Sequence, residues 1–188
     1  MVLLQVWRWR DMSFAALARR ICYSKNKLTY NQATIETDTT GLMLASTGTI
    51  ARSTAQAAHG LASCLVTGTA SGCGVGTHSS YLIPAVAGAQ WTAVSSCYIG
   101  NTGRNISTKL RFYDSGKAQL GSTNTSTGVV SSAAWVQTQV TAVAPANTAY
   151  VGMFVTFNDA GTQNGDTFYA DKLGLWLGSS TGWVAPVR

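Results

Sequence analysis

The sequence predicts an all-β domain built as two sheets packed face to face, and three observations carry that prediction. Stretches of period-two hydrophobicity recur from residue 28 onward without alternating helical segments, which favours a sandwich over a βαβ fold. Turn signals punctuate them: Asn101-Thr102-Gly103, Asp114-Ser115-Gly116, Asn158-Asp159-Ala160-Gly161 and Asn164-Gly165-Asp166. Only 11% of residues are Asp, Glu, Lys or Arg, against about 25% in typical soluble domains. Gly, Ser, Thr and Ala fill the gap, giving the polar, uncharged surface of secreted or particle-bound β-proteins.

The 188 residues suffice for one domain with an appendage. The appendage is residues 1–27, which hold six Lys or Arg against one Asp, whereas residues 28–188 hold seven against six. In it Ser13 is placed to cap a short helix whose apolar side is Phe14, Leu17, Ala18 and Ile21. Trp7 and Trp9, with Arg8 and Arg10, precede that helix, and Arg19 and Arg20 lie largely off its apolar side. About three turns of helix are marginal alone, so this basic, partly helical arm reads as a docking element. No DNA- or RNA-binding motif accompanies the charge, so specific nucleic-acid binding is not expected. No apolar run approaches the length of a membrane span.

From Leu28 the expected strands are roughly 28–36, 42–53, 60–68, 75–87, 90–99, 105–113, 129–143, 148–157 and 167–177. The clearest is 105–113, with Ile106, Thr108, Leu110 and Phe112 on one side and Ser107, Lys109, Arg111 and Tyr113 on the other. In 150–157, Val151, Met153, Val155 and Phe157 share a side. In the last strand Tyr169, Asp171, Leu173, Leu175 and Leu177 are expected to face inward, opposite Phe168, Ala170, Lys172, Gly174 and Trp176. Asp171 is then a carboxylate on an apolar side, which requires a partner. Of the cysteines, Cys64 and Cys97 sit in apolar strand patterns; a Cys64–Cys73 bridge and free thiols both fit the spacing.

The phrase Tyr169-Ala170-Asp171-Lys172-Leu173-Gly174-Leu175-Trp176 resembles the closing strand of jelly-roll carbohydrate-binding modules, above all those in minor tail proteins of actinobacterial phages. Four further phrases resemble the family in order and spacing. They are Leu28–Glu36, His59–Thr67, Val86–Ala93, and Trp135-Val136-Gln137 followed by residues 144–149. Leu42 and Trp91 depart from it, standing where the family more often has Trp and Tyr. The resemblance implies a jelly roll over residues 28–188 and a calcium ion between the first and last strands, held by Glu36 and Asp171.

Catalysis is not expected. The two histidines lie outside any H-E-x-x-H motif, G-x-S-x-G is absent, and Glu36 and Asp171 are the only carboxylate pair worth considering. Sugar binding needs exposed aromatic faces; Tyr113 and Trp176 are the leading candidates, with Trp91 and Tyr98 behind them. Core packing is the expected role of Trp135 and the alternative for Trp91. The reading is a non-enzymatic phage virion surface protein, minor tail or capsid decoration. Residues 1–27 dock it to other virion proteins, and it works as a homo-oligomer whose jelly roll meets host cell-wall glycan. The alternative is a free carbohydrate-binding module.

Overall fold

The computed structural model describes residues 25–45, 47–69, 73–100, 104–126, 128–130, 133–157, 164–179, 183 and 186. The expected docking residues Trp7, Arg8, Trp9, Arg10, Phe14, Leu17, Arg19, Arg20 and Ile21 lie outside them, as does Cys22. The fold is the expected two-sheet sandwich. Its strands are β1 (Leu42–Leu44), β2 (Gly48–Ser53), β3 (Ser63–Gly68), β4 (Gly74–Thr77), β5 (Ile83–Pro84) and β6 (Gln90–Tyr98). They continue with β7 (Asn105–Tyr113), β8 (Gln119–Thr125), β9 (Val129–Val130), β10 (Trp135–Val143), β11 (Tyr150–Phe157) and β12 (Thr167–Leu177). One sheet runs β1-β4-β11-β7-β8, with β5 on β11 and β9 on β7; the other runs β10-β6-β12-β3-β2. The strand pairs are antiparallel.

Between the sheets lies one apolar core, including Val75, Ile106, Leu110, Phe112, Val151, Met153 and Phe157 from the first and Trp91, Phe168, Leu173 and Leu175 from the second. A polar thread crosses it. Thr108 on β7 shares hydrogen bonds of 2.6 Å with Ser95 on β6 and with Thr138 on β10. Three facing hydroxyls thus satisfy one another where a lone one would be costly. Cys64, Cys73 and Cys97 are buried free thiols, and burial pushes Cys64 and Cys97 up to about 12.

Four expectations are corrected. Residues 28–36 are not a strand: Tyr30–Thr34 forms the short helix α1, nucleated by a capping box in which Thr29 and Gln32 exchange side chain-to-backbone bonds. Residues 42–53, 75–87 and 129–143 are each split, the second by a 3₁₀ turn over Ser79–Tyr81 and the third into β9 of the first sheet and β10 of the second. The polar edge strand β8 was not expected at all. The facing of β12 changes partway along. Lys172 adopts a left-handed conformation (φ 49°), and the pairing with β6 shifts between Asp171 and Gly174. This β-bulge turns Phe168, Ala170, Leu173 and Leu175 all inward. Tyr169 and Asp171 therefore face outward with Gly174 and Trp176.

Beyond the bulge, β12 has no strand partner on its β3 side among the described residues. The segment just before α1 takes that place. The Asn26 amide donates to the Leu173 carbonyl and accepts from Leu175 N–H, both at 3.0 Å, and Lys27 N–H donates to the Leu175 carbonyl at 2.8 Å. Asn26 is buried, so these bonds replace water rather than compete with it.

Candidate functional site

The alternation of β7 turns Ser107, Lys109, Arg111 and Tyr113 away from the core. Antiparallel register sets them against Thr156, Phe154, Gly152 and Tyr150 of β11 in turn. On the far side of β11, Gly74 pairs with Thr156 and Gly76 with Phe154. The Phe154 ring lies across Gly76, where an added Cβ would fall 2.1 Å from a ring carbon. Only a residue without a side chain lets the ring lie there. Above Phe154 sits the Arg111 guanidinium, its Cζ 4.1 Å from the ring centroid. At the Tyr113 end, Lys117 donates to the Ser79 carbonyl at 2.9 Å and holds its ammonium 5.9 Å from the Tyr150 ring centroid.

This face concentrates unmet hydrogen-bonding capacity. Among the described residues, four buried side-chain polar atoms lack a partner, and three are here: Ser107 Oγ, Thr156 Oγ1 and Arg111 Nε. Ser107 is 0% exposed and Thr156 3%, and they stand opposite one another. Orphaned buried polar atoms are rare because each costs about 1–3 kcal/mol. Burial, and then the neighbouring Arg111, hold the Lys109 ammonium below its ordinary pKa. Burial pushes the Tyr113 phenol up, opposed by Arg111. Hydroxyls, a guanidinium on a ring and two tyrosines give both the polar and the flat apolar contacts a ring-shaped polar ligand needs.

Of the sequence-predicted ligand residues, the structure brings only Tyr113 to this face. Trp176 is 2% exposed and lies over Gly174 on the outer side of the second sheet, too covered to stack on a ligand. Trp91 faces the core and is 3% exposed. Tyr98 lies on the outer side of the second sheet with Trp135 and Tyr169 on either hand, at centroid distances of 5.9 and 6.0 Å. Trp135 is therefore an outer-face residue, against expectation. Sequence reasoning missed Phe154, Thr156 and Ser107 as site members. The period-two pattern had already put Ser107, Lys109, Arg111 and Tyr113 on one side, but which strand lies next to β7 is a tertiary fact.

Glu36 and Asp171 are both held by backbone N–H groups. Asp171 Oδ2 accepts from Ala58 and His59 at 2.8 Å each, and its Oδ1 accepts from Lys172 at 2.6 Å. Glu36 Oε1 accepts from Leu61 at 2.9 Å and Ala62 at 3.4 Å. Gly60, with positive φ, passes so close that a Cβ would meet Glu36 Oε1. Burial pushes Asp171 up to about 6, opposed by its three N–H donors and by His59. Oxygens aimed at N–H groups are poor calcium ligands, and calcium wants about six to eight oxygens. Among the described residues no three His, Cys, Asp or Glu side chains gather. This donor set does not fit a calcium ion.

No protein-family model matches the sequence, and no curated protein matches it. Solved structures do match in shape. The CBM22-1 xylan-binding domain of Paenibacillus barcinonensis Xyn10C superposes with a TM-score of 0.58 at 12% identity, covering 88% of this chain and 98% of that one. The C-terminal family 22 carbohydrate-binding module of Clostridium thermocellum Xyn10B gives 0.57 at 19%, covering 77% and 90%. The enzymatically active domain of tailspike protein 4 of bacteriophage CBA120 gives 0.62 at 9%, covering 81% of this chain. This chain spans 21% of that tailspike chain. At these identities the likeness establishes the jelly-roll fold.

Proposed function

We propose that this chain is a non-catalytic carbohydrate-binding module whose ligand lies on the outer face of the first sheet. The observation that carries this reading is the facing pair Ser107 and Thr156, buried hydroxyls without protein partners beside a guanidinium stacked on an aromatic ring. Sugar hydroxyls satisfy such groups while a pyranose face covers the half-buried Tyr113 or Tyr150 beside them, Phe154 itself being covered by Arg111 and Gly76. Likeness to xylan-binding domains over nearly their whole length supports the same reading. No catalytic carboxylate pair enters it, because Asp171 and Glu36 are engaged with backbone N–H groups.

The module is displayed on a phage particle in this proposal, with the arm expected at 1–27 docking it to other virion proteins, although its last residues Asn26 and Lys27 belong to the domain. Likeness to a tailspike domain and the basic, tryptophan-bearing composition of 1–27 support that setting. A free module is the second reading, favoured by the near-complete coverage of stand-alone xylan-binding domains. Affinity electrophoresis and calorimetry of the full chain against host cell walls and xylan test the binding. Retention that is lost in Tyr113→Ala and Arg111→Ala, with melting unchanged, is the expected result. No retention on any polysaccharide would end the glycan reading, and unlabelled virions in immunogold microscopy would leave the free module.

A further inference from the structure

Among the described residues the charge on this face is one-signed. Lys109 and Arg111 project from it two residues apart on β7, and Lys117 stands at its Tyr113 end. The described carboxylates are engaged elsewhere. Glu36 and Asp171 accept backbone N–H groups, Asp38 bonds Asn31 and Thr40, and Asp166 pairs with Arg104 at 2.8 Å. Asp114 closes the β7–β8 turn, its Oδ1 accepting from Ala118.

Two neighbouring cations with no described carboxylate between them repel, and partial burial removes the water that would screen them. Burial and Arg111, but no acidic group, are what displace the Lys109 pKa. Arg111 has its face against Phe154, leaving the edge of the guanidinium as its donor surface, and the buried Nε on that edge has no partner. A guanidinium edge is the group that takes a carboxylate or phosphate side-on through two parallel N–H donors.

We infer that the ligand of this face is an anionic glycan, whose carboxylate or phosphate sits on Arg111 and Lys109 while sugar hydroxyls meet Ser107 and Thr156. The inference rests on the glycan reading above and narrows it to acidic polymers. A bound anion satisfies Arg111 Nε and ends the repulsion along β7 in one step; a neutral xylan hydroxyl can accept from Nε but leaves the repulsion in place.

The test titrates the full chain with three oligosaccharides of matched length: neutral xylo-oligosaccharide, the same bearing glucuronic acid, and glycerol phosphate oligomer bearing sugar. Each is run at low salt and at about 0.3 M salt, where exposed charges are largely screened. An acidic ligand is expected to bind about tenfold or more tighter than the neutral one at low salt, the gap narrowing with salt. Uronate and phosphate arms identify which anion is preferred. Arg111→Gln is expected to erase the preference, and Lys109→Gln, at a half-buried position, to reduce it if the first variant melts early. Equal or tighter binding of the neutral oligosaccharide overturns this inference and leaves the glycan reading standing. Absence of binding in every arm overturns both.

Discussion

Ser107 on β7 and Thr156 on β11 face each other across an antiparallel pair, both buried and both with hydroxyls that no protein group meets. In a core such a pair would be costly; on a face turned from the core it is where the proposed ligand would supply the missing partners. Thr156→Val keeps the shape and removes the orphan. It is expected to hold or raise stability by about 1 kcal/mol while weakening glycan binding about tenfold. Thermal melts and calorimetry on one preparation check both halves.

Gly174 lies beneath Trp176, and a Cβ there would fall 1.8 Å from the indole. The indole is 2% exposed and has no free space to retreat into. Gly174→Ala is expected to destabilise the domain by about 1–3 kcal/mol, read as a lowered denaturation midpoint.

Asn26 substitutes for a missing strand beside the second half of β12. Asn26→Ala leaves Leu175 N–H buried and unpaired, at an expected loss of about 1–3 kcal/mol. Hydrogen exchange is expected to speed up most at Leu175.

Asp171 carries a folded-state pKa of about 6, above the ordinary aspartate value, because it is buried. A carboxyl raised on folding contributes stability that is full below about pH 4 and is lost as pH rises through about 6. The stability difference between wild type and Asp171→Asn is therefore expected to shrink from pH 4 to pH 7 in favour of the variant. Chemical denaturation across that range measures it.

Chelation is expected to leave melting unchanged, since Asp171 spends both oxygens and Glu36 its Oε1 on N–H donors. A melting temperature that falls with chelator and returns with calcium would place a cation there.

Much of the architecture was legible in the residues. The 105–113 stretch alternates so cleanly that the pattern alone sets both its bounds and its two faces. The last strand was harder. Tyr169 and Leu173 lie four apart and mimic one unbroken period, whereas left-handed Lys172 inserts a residue and flips the phase. No hydrophobic pattern encodes that. Trp176 shows a related limit: it does leave the core, yet it lies over Gly174 and is 2% exposed, a burial on the outer face that the strand pattern does not encode. The strand expected at 28–36 carried its own contrary signal, since Thr29-x-x-Gln32 is a helix start. Polar β8, with positive-φ Gly121 in its middle, gave little apolar alternation to find. The site was half visible: one strand supplied Lys109, Arg111 and Tyr113 on a common side, but only register joins them to Phe154 and Thr156.

The clamp at Asn26 also bears on mechanics. A pull applied through the residue before it reaches the domain at Leu173 and Leu175 of β12, on the side that β3 leaves open. Tension arriving there must break buried amide bonds beside a central strand before it can peel anything away. In the proposed setting, where the N-terminal segment is the tether, load enters the domain through these bonds.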